Sequence, residues 1–192
     1  MDKKRCGWAG TTNDLMIAYH DSEWGRPVHD DQLLYEFLIL EGAQAGLSWS
    51  TVLNKRENYR KAFDNFDYKK IALYDEDKIT ELLQNEGIIR NKLKINSAIN
   101  NAKRFMEVQV EFGSFDKYIW KFIDSKPIQN NIKSMSEIPA STDLSTKISK
   151  DLKKRKFNFI GTTIMYAFMQ AIGMVNDHQQ SCFCYNEVIS LK

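Results

Sequence analysis

One stretch, residues 33–49 (LLYEFLILEGAQAGLSW), constrains the fold of this chain more than any other. Apolar and small side chains recur there at helical spacing, which predicts a helix with a buried face. Glu41 shares that face, although an ionised carboxylate is costly to bury without partners. Gly42 and Gly46, which favour an irregular backbone, then precede Trp49, a wide flat aromatic. The predicted face comprises Leu34, Phe37, Leu38, Glu41 and Ala45.

Two interpretations of Glu41 are open at this point. An inward acid, a backbone with little side-chain bulk and an aromatic plane would together make a pocket for a flat polar ring. Alternatively, a helix ends here and Glu41 pairs with a neighbouring Arg or Lys, which is how buried carboxylates are usually accommodated.

The composition predicts one globular domain over residues 1–192, long enough to bury a core without disulfides. Its 43% hydrophobic and 27% charged residues are ordinary for a soluble protein. The net charge of +2 gives only a slight basic bias, so a nucleic-acid surface would need local clusters. Residues 87–104 and 147–156 supply two such clusters, and the alternative for each is a solvated helix face.

The three cysteines do not suggest a disulfide framework in a chain of this size. The first residues lack the apolar segment of a secretory signal. The most apolar run, residues 159–175, is short for a membrane span and is interrupted by Gly, Thr and Gln, which favours a buried helix. We therefore expect a cytoplasmic protein without membrane contact, and nothing in the sequence suggests an obligate dimer.

Helical patterns dominate the chain and predict an all-α fold. Pro127 and Pro139 bracket a polar stretch that is predicted to be a long surface connection. No internal repeat or low-complexity segment is visible. The predicted helices cover residues 14–24, 30–46, 48–63, 67–72, 75–85, 92–108, 114–123, 142–156 and 160–173.

The segment GIIRNKLKI at 87–95 predicts a tight link between two helices, with basic side chains on the first turn of the second. Backbone N–H groups at a helix N-terminus and nearby Arg or Lys side chains can hold a phosphate together. The wider region, about residues 80–105, therefore has the content of a helix-hairpin-helix module. An ordinary helical hairpin looks the same when this segment is considered alone.

Cys6 and His20 lie near the start of the chain, and His178 and Cys182 lie near its end. The second pair is spaced i, i+4, which would place both ligands on one side of a helical turn. Two Cys and two His form a closed tetrahedral zinc site, which is structural rather than catalytic. Such a site would tie the termini together. Swaps with His29 or Cys184 remain open, as does an arrangement of buried thiols without metal.

Aromatic side chains cluster around the first of these pairs: Trp8, Tyr19 and Trp24. Aromatic planes with one carboxylate suit an extruded nucleobase, which needs stacking on its faces and hydrogen bonds at its edge. Ordinary core packing is the alternative for these residues.

Taken together, these segments resemble the 3-methyladenine DNA glycosylase I family of alkylation-repair enzymes. The resemblance follows the chain in order over nearly its whole length. It is carried by RCGW (5–8), IAYHDSEWG (17–25), LEGAQAGLSWSTVLNKRENYRKAF (40–63), GIIRNKLKI (87–95), SEIPAST (136–142), LKKRKFNFIGTTIMYAFMQAIGMVNDH (152–178) and CFCY (182–185).

The resemblance implies a helix-hairpin-helix glycosylase fold that flips N3-methylated adenine out of duplex DNA. Glu41 matches the acid that recognises the base, Tyr19 its partner in catalysis, and Trp49 and Trp8 the stacking aromatics. Met16 stands where some relatives have a second pocket tyrosine.

The same resemblance assigns further residues. Gly46 and Leu47 match the loop that fills the gap left in the duplex. The phosphate-holding hairpin supplies Arg90, Lys92 and Lys94. One structural zinc ion is implied, with the ligands Cys6, His20, His178 and Cys182.

The implied reaction is hydrolysis of the N-glycosidic bond, with free 3-methyladenine and an abasic site as products. No Asp occurs between Asp77 and Asp116, where many helix-hairpin-helix glycosylases carry one, and no lysine is marked out as a nucleophile, so no strand cleavage is expected. A module that only binds damaged DNA and a zinc-stabilised helical interaction protein are the alternative classes.

Overall fold

Helices dominate the computed structural model, which describes residues 3–10 and 13–191. Polar side chains fix where many of them start. Asp30, Asp75 and Asn91, for example, each accept a hydrogen bond from a backbone N–H of the following helix. The helices are α1 (Asp14–Ser22), α2 (Asp31–Gln44), α3 (Trp49–Leu53), α4 (Arg56–Ala62), α5 (Tyr68–Ile71), α6 (Glu76–Gln84), α7 (Lys92–Phe112), α8 (Phe115–Trp120), α9 (Asp143–Lys154), α10 (Thr162–Ala171) and α11 (Phe183–Ile189).

Helix α2 forms the centre of the molecule. All residues from Leu34 to Ala43 are buried, so the helix is covered on every side rather than along the single face that its periodicity predicts. It packs against α3, α7, α8 and α10. Because the core surrounds α2, any polar side chain on its second half has to be satisfied by a partner or open into a cavity.

The sequence predictions of the elements need three corrections. The predicted helix 48–63 is two helices, α3 and α4. The predicted surface connection contains β1 (Ile128–Gln129), which pairs in parallel with β2 (Val175–Asn176), with Ile128 opposite Val175 and Gln129 opposite Asn176. Helix α11 was not predicted. The two-residue strands have no periodicity to detect, since their pairing depends on contacts that are distant in sequence. Helix α11 follows Cys182, which forms no side-chain capping hydrogen bond, so its start carries no capping signal.

The short sheet has a positional role. It places the residues that follow β2 beside the N-terminal segment, where Phe183 N–H donates to the carbonyl of Lys4. None of the helices in the described part of the chain is both long and apolar enough to cross a membrane.

Candidate functional site

A cavity of about 300 Å³ opens beside the second half of α2. The four side chains predicted to form the pocket, Trp8, Tyr19, Glu41 and Trp49, all line it. The other lining residues are Met16, Trp24, Gln44, Met135, Ile138, Ala167 and Gln170. Met135 and Ile138 come from the connection after β1, and no local sequence pattern indicates that this segment reaches the pocket.

Glu41 is only 4% exposed, and burial raises its pKa to about 8. It makes no ion pair with any residue in the described ranges. Glu36, one and a half turns earlier on α2, shows the other arrangement, since it is buried against Arg56 Nε at 2.5 Å and Arg60 at 2.8 Å. The predicted alternative of a charge paired with Arg or Lys therefore describes Glu36 and not Glu41.

The aromatic walls of the cavity meet at an angle. The Tyr19 and Trp49 rings lie 5.1 Å apart and are tilted by 46°, and Trp8 lies 6.2 Å from Tyr19. Burial and the nearby Glu41 carboxyl raise the pKa of Tyr19 well above its usual value, so Tyr19 remains a neutral phenol. The cavity thus combines flat apolar surfaces with one acid and one hydroxyl.

Four buried side chains form a second cluster behind this cavity: Cys6, His20, His178 and Cys182. Their ligand atoms all lie within 4.8 Å of one another. Cys6 Sγ is 3.5 Å from His178 Nδ1, and Cys182 Sγ is 3.5 Å from His20 Nε2. The cluster could hold a metal ion, and it brings together the four residues that the resemblance assigns as metal ligands.

Each histidine ring nitrogen that faces away from the cluster has a hydrogen-bond partner. His20 Nδ1 lies 2.8 Å from Asp21 Oδ1, and His178 Nε2 lies 3.0 Å from the carbonyl oxygen of Trp24. Each histidine can therefore donate its outer N–H and turn a lone pair toward the thiols, as metal-binding histidines commonly do. The donor set and its orientation fit a tetrahedral metal ion.

The local geometry of the last two candidate ligands differs from the prediction. His178 lies in the loop after β2, and Cys182 immediately precedes α11, so the i, i+4 pair does not lie on a helical turn. His29 pairs with Asp116 at 2.7 Å, outside the cluster. Cys184 is buried beside His20 and Asp21, adjacent to the four ligands.

Trp24 joins the cluster to the cavity. Its ring lies 4.7 Å from His178 and 4.8 Å from Trp8, and it also lines the cavity. Trp8 in turn meets His20 edge-on at 5.3 Å. One wall of the cavity is therefore supported directly by the side chains that could hold the metal.

The predicted DNA-contacting residues lie on two segments. The loop after α2 contains Gly46, with a φ of +78°, and Leu47, which is 42% exposed. Arg90, in the link between α6 and α7, is exposed, and so is Lys92, the first residue of α7. Lys94 instead turns inward, and its Nζ donates to the carbonyls of Ala43 at 2.7 Å and Ala45 at 2.8 Å.

Comparison with known proteins gives a consistent result. A family model described as methyladenine glycosylase matches residues 8–185. The DNA-3-methyladenine glycosylase 1 of Escherichia coli is 48% identical over 182 residues, which cover 95% of this chain and 97% of that protein. The DNA-3-methyladenine glycosylase of Haemophilus influenzae is 47% identical over 180 residues, covering 94% and 97% respectively.

Solved structures agree with this result. A crystal structure of 3-methyladenine DNA glycosylase I superposes with a TM-score of 0.92 at 49% identity, covering 95% of this chain and all of that one. The Staphylococcus aureus enzyme, solved to explain its recognition of 3-methyladenine, gives a TM-score of 0.90 at 32% identity, covering 93% and 95%. The chain therefore belongs to the 3-methyladenine DNA glycosylase I family, as the sequence motifs indicated.

Proposed function

We propose that this protein is a DNA-3-methyladenine glycosylase that hydrolyses the N-glycosidic bond of N3-methylated adenine in duplex DNA. The products are free 3-methyladenine and an abasic site. The observation that carries the proposal is Glu41, a buried and unpaired carboxyl group that faces a cavity with aromatic walls. Relatives of this protein that have a similar length are named for the same activity.

The chemistry of the substrate fits this pocket. Methylation at N3 makes the adenine ring cationic and weakens its bond to the sugar, and the base then leaves as a neutral molecule. A cation that enters the cavity favours the ionised form of Glu41, because an opposite charge nearby stabilises the carboxylate. Unmodified adenine is neutral and offers no such compensation, so Glu41 selects for the alkylated base.

The aromatic side chains add to this selection. A cationic ring is attracted to an aromatic face more strongly than a neutral ring, and the attraction grows when water is excluded. We assign Trp49 and Trp8 to the faces of the base, and Tyr19 to a hydrogen bond that orients it beside Glu41. No lysine lines the cavity among the described residues, so no amine is available there for a covalent intermediate. We therefore propose hydrolysis without strand cleavage.

The base has to leave the duplex to reach this cavity. We propose that Leu47, exposed on its glycine-containing loop, fills the space that the base vacates. The α6–α7 pair would serve as the helix-hairpin-helix module, with Arg90 and Lys92 facing the phosphates. Arg155, in the 147–156 cluster, is not included, because it is already paired with Glu111 at 2.6 Å and Asp151 at 2.9 Å.

We further propose that the cluster of Cys6, His20, His178 and Cys182 holds one zinc ion. Two thiolates and two imidazoles leave no open position, so the ion would hold the two ends of one domain together and take no part in the reaction. We expect a monomer that acts on DNA in the bacterial cytoplasm.

Chromatography of the bases released from methylated duplex DNA tests the proposal. The native protein should release 3-methyladenine, and Glu41→Gln should release far less because the amide cannot become an anion. Glu107→Gln, at an exposed position on α7, serves as the control and should match the native protein. Binding to methylated DNA without any release by the folded native protein would instead indicate a damage-binding module.

A further inference from the structure

Lys94 is held in place both at its backbone N–H and at its ammonium group. Lys94 lies in the first turn of α7, where its backbone N–H donates to the side chain of Asn91 at 3.1 Å. From there the half-buried side chain reaches the end of α2, and its ammonium contacts two carbonyl groups. The lysine thus connects the start of the hairpin's second helix to the segment that follows Glu41.

The two carbonyls belong to the end of α2, where backbone oxygens have no partner within the helix. The carbonyl of Gly42 receives the N–H of Ala45 at 3.3 Å, and that of Gln44 receives the N–H of Leu47 at 2.7 Å. The carbonyls that alternate with these two, those of Ala43 and Ala45, accept hydrogen bonds from the Lys94 ammonium. A cation is well suited to this position, because the end of a helix carries partial negative charge.

The carbonyls held by Lys94 flank the start of the loop that carries Gly46 and Leu47. Gly46 adopts a φ of +78°, and a Cβ at this position would meet nothing within 4 Å, so Gly46 itself adds no packing contact that would fix the loop. A second cavity of about 200 Å³ lies along the same loop and is lined by Glu41, Leu47 and Thr163, among others. The conformation of Leu47 therefore depends on how the end of α2 is held.

We propose that Lys94 is a positioning residue that fixes the α2–α3 loop, so that the α6–α7 hairpin and Leu47 engage DNA as one unit. This role rests on the proposed function and replaces a phosphate contact for Lys94. It differs from the role of Arg90 and Lys92, which are exposed; Arg90 makes only a long contact with the exposed Glu86, at 3.6 Å.

Lys94→Met, which keeps much of the side-chain volume but removes the charge, tests the proposal. The single-turnover rate of base release from duplex DNA at saturating enzyme should fall at least tenfold. The affinity for free 3-methyladenine should change less than twofold, because Glu41 and the aromatic walls stay in place. Lys94→Arg should restore part of the rate, since it can still donate to the two carbonyls.

The salt dependence of DNA binding separates the two possible roles. We would use a duplex with a tetrahydrofuran abasic-site analogue and plot log Kd against log salt concentration. Loss of a phosphate contact lowers the slope by about 1, which is the result expected for the comparison variant Lys92→Met. Lys94→Met should keep the native slope.

Insertion of Leu47 can also be followed without turnover. With 2-aminopurine beside the abasic-site analogue, the native protein should raise the fluorescence as Leu47 enters the gap and disturbs the stacking of the neighbouring base, and saturating Lys94→Met should raise it less. A reduced salt slope, an unchanged release rate or a loss of free-base affinity in Lys94→Met would each overturn the proposal. Failure of the proposed function would be evident separately, as the native protein would release no base.

Discussion

Two glutamates on one helix illustrate what the sequence can and cannot reveal at the scale of single residues. Both Glu36 and Glu41 are buried in α2. The helical pattern predicts that Glu41 faces inward, but it cannot show that the two nearby arginines approach only Glu36. The distinction arises because Arg56 and Arg60, both on α4, reach Glu36 in the first half of α2, whereas Glu41 in the second half lines the cavity.

This difference predicts that Glu41→Gln stabilises the fold while it removes activity. With its pKa raised from 4.5 to about 8, Glu41 binds a proton more tightly in the folded state, so stability falls as pH rises between these values. The amide of Gln cannot ionise, so the variant has no such loss of stability. We expect its free energy of unfolding to exceed that of the native protein by about 1–3 kcal/mol at pH 7. Urea unfolding at pH 5, 7 and 8.5 would measure it. A destabilised variant, or a native protein whose stability does not fall over this range relative to Glu41→Gln, would contradict the prediction.

The same carboxyl group predicts the pH profile of the reaction. The ionised form of Glu41 binds the cationic base, so kcat/KM should rise about tenfold per pH unit below the free-enzyme pKa and level off above about 8. Initial rates of 3-methyladenine release between pH 6 and 9 test this expectation. The residual rate of Glu41→Gln should be independent of pH over the same range, and a parallel rise in the variant would assign the titration to another group.

At the scale of elements, most helices could be predicted, including the short α5 and α8, whereas the strand pair and α11 could not. The bounds of α2, α6 and α9 lie within two residues of their predicted ends because capping residues and periodicity agree there. The strand pair β1–β2 and helix α11 carry no such signals. They nevertheless position His178 and Cys182, and the segment after β1 brings Met135 and Ile138 to the cavity. The sequence therefore predicted the aromatic, acidic and candidate metal-binding residues of the site, but not the part of the cavity wall that Met135 and Ile138 form.

The α2–α3 loop is the element whose function can be tested most directly. Leu47→Ala should lower base release from duplex DNA by tenfold or more, because nothing would fill the gap left by the flipped base. Its exposed side chain contributes little to the core, so the melting temperature and the affinity for free 3-methyladenine should stay close to native values. Leu73→Ala, which removes another exposed leucine, provides the matched control. Equal release by both variants would exclude a role for Leu47.

At the scale of the whole molecule, the two ends of the chain meet behind the pocket. The resemblance identified the four candidate ligands, whereas their approach depends on contacts between segments more than 150 residues apart, such as Cys6 with His178. The contact between the two ends of the chain therefore links the stability of the fold to the binding of the base. Trp8 lies two residues after Cys6 and touches both His20 and the cavity, so any loosening of the ligands also displaces a wall of the pocket.

Removal of the metal should therefore affect the fold and the pocket together. We expect one zinc ion per native chain, measured by mass spectrometry of the metal. A structural zinc ion contributes several kcal/mol, so a strong chelator should lower the melting temperature by roughly 10 °C or more. Below that transition, the chelated protein should bind free 3-methyladenine more weakly, and added zinc should restore both properties. Cys6→Ser should lose the ion, whereas Cys184→Ser, altered at the adjacent buried thiol, should retain it. Equal loss of zinc from both variants would indicate that Cys184 is also a ligand. A native protein without bound metal would show that hydrogen bonds alone hold the four side chains together.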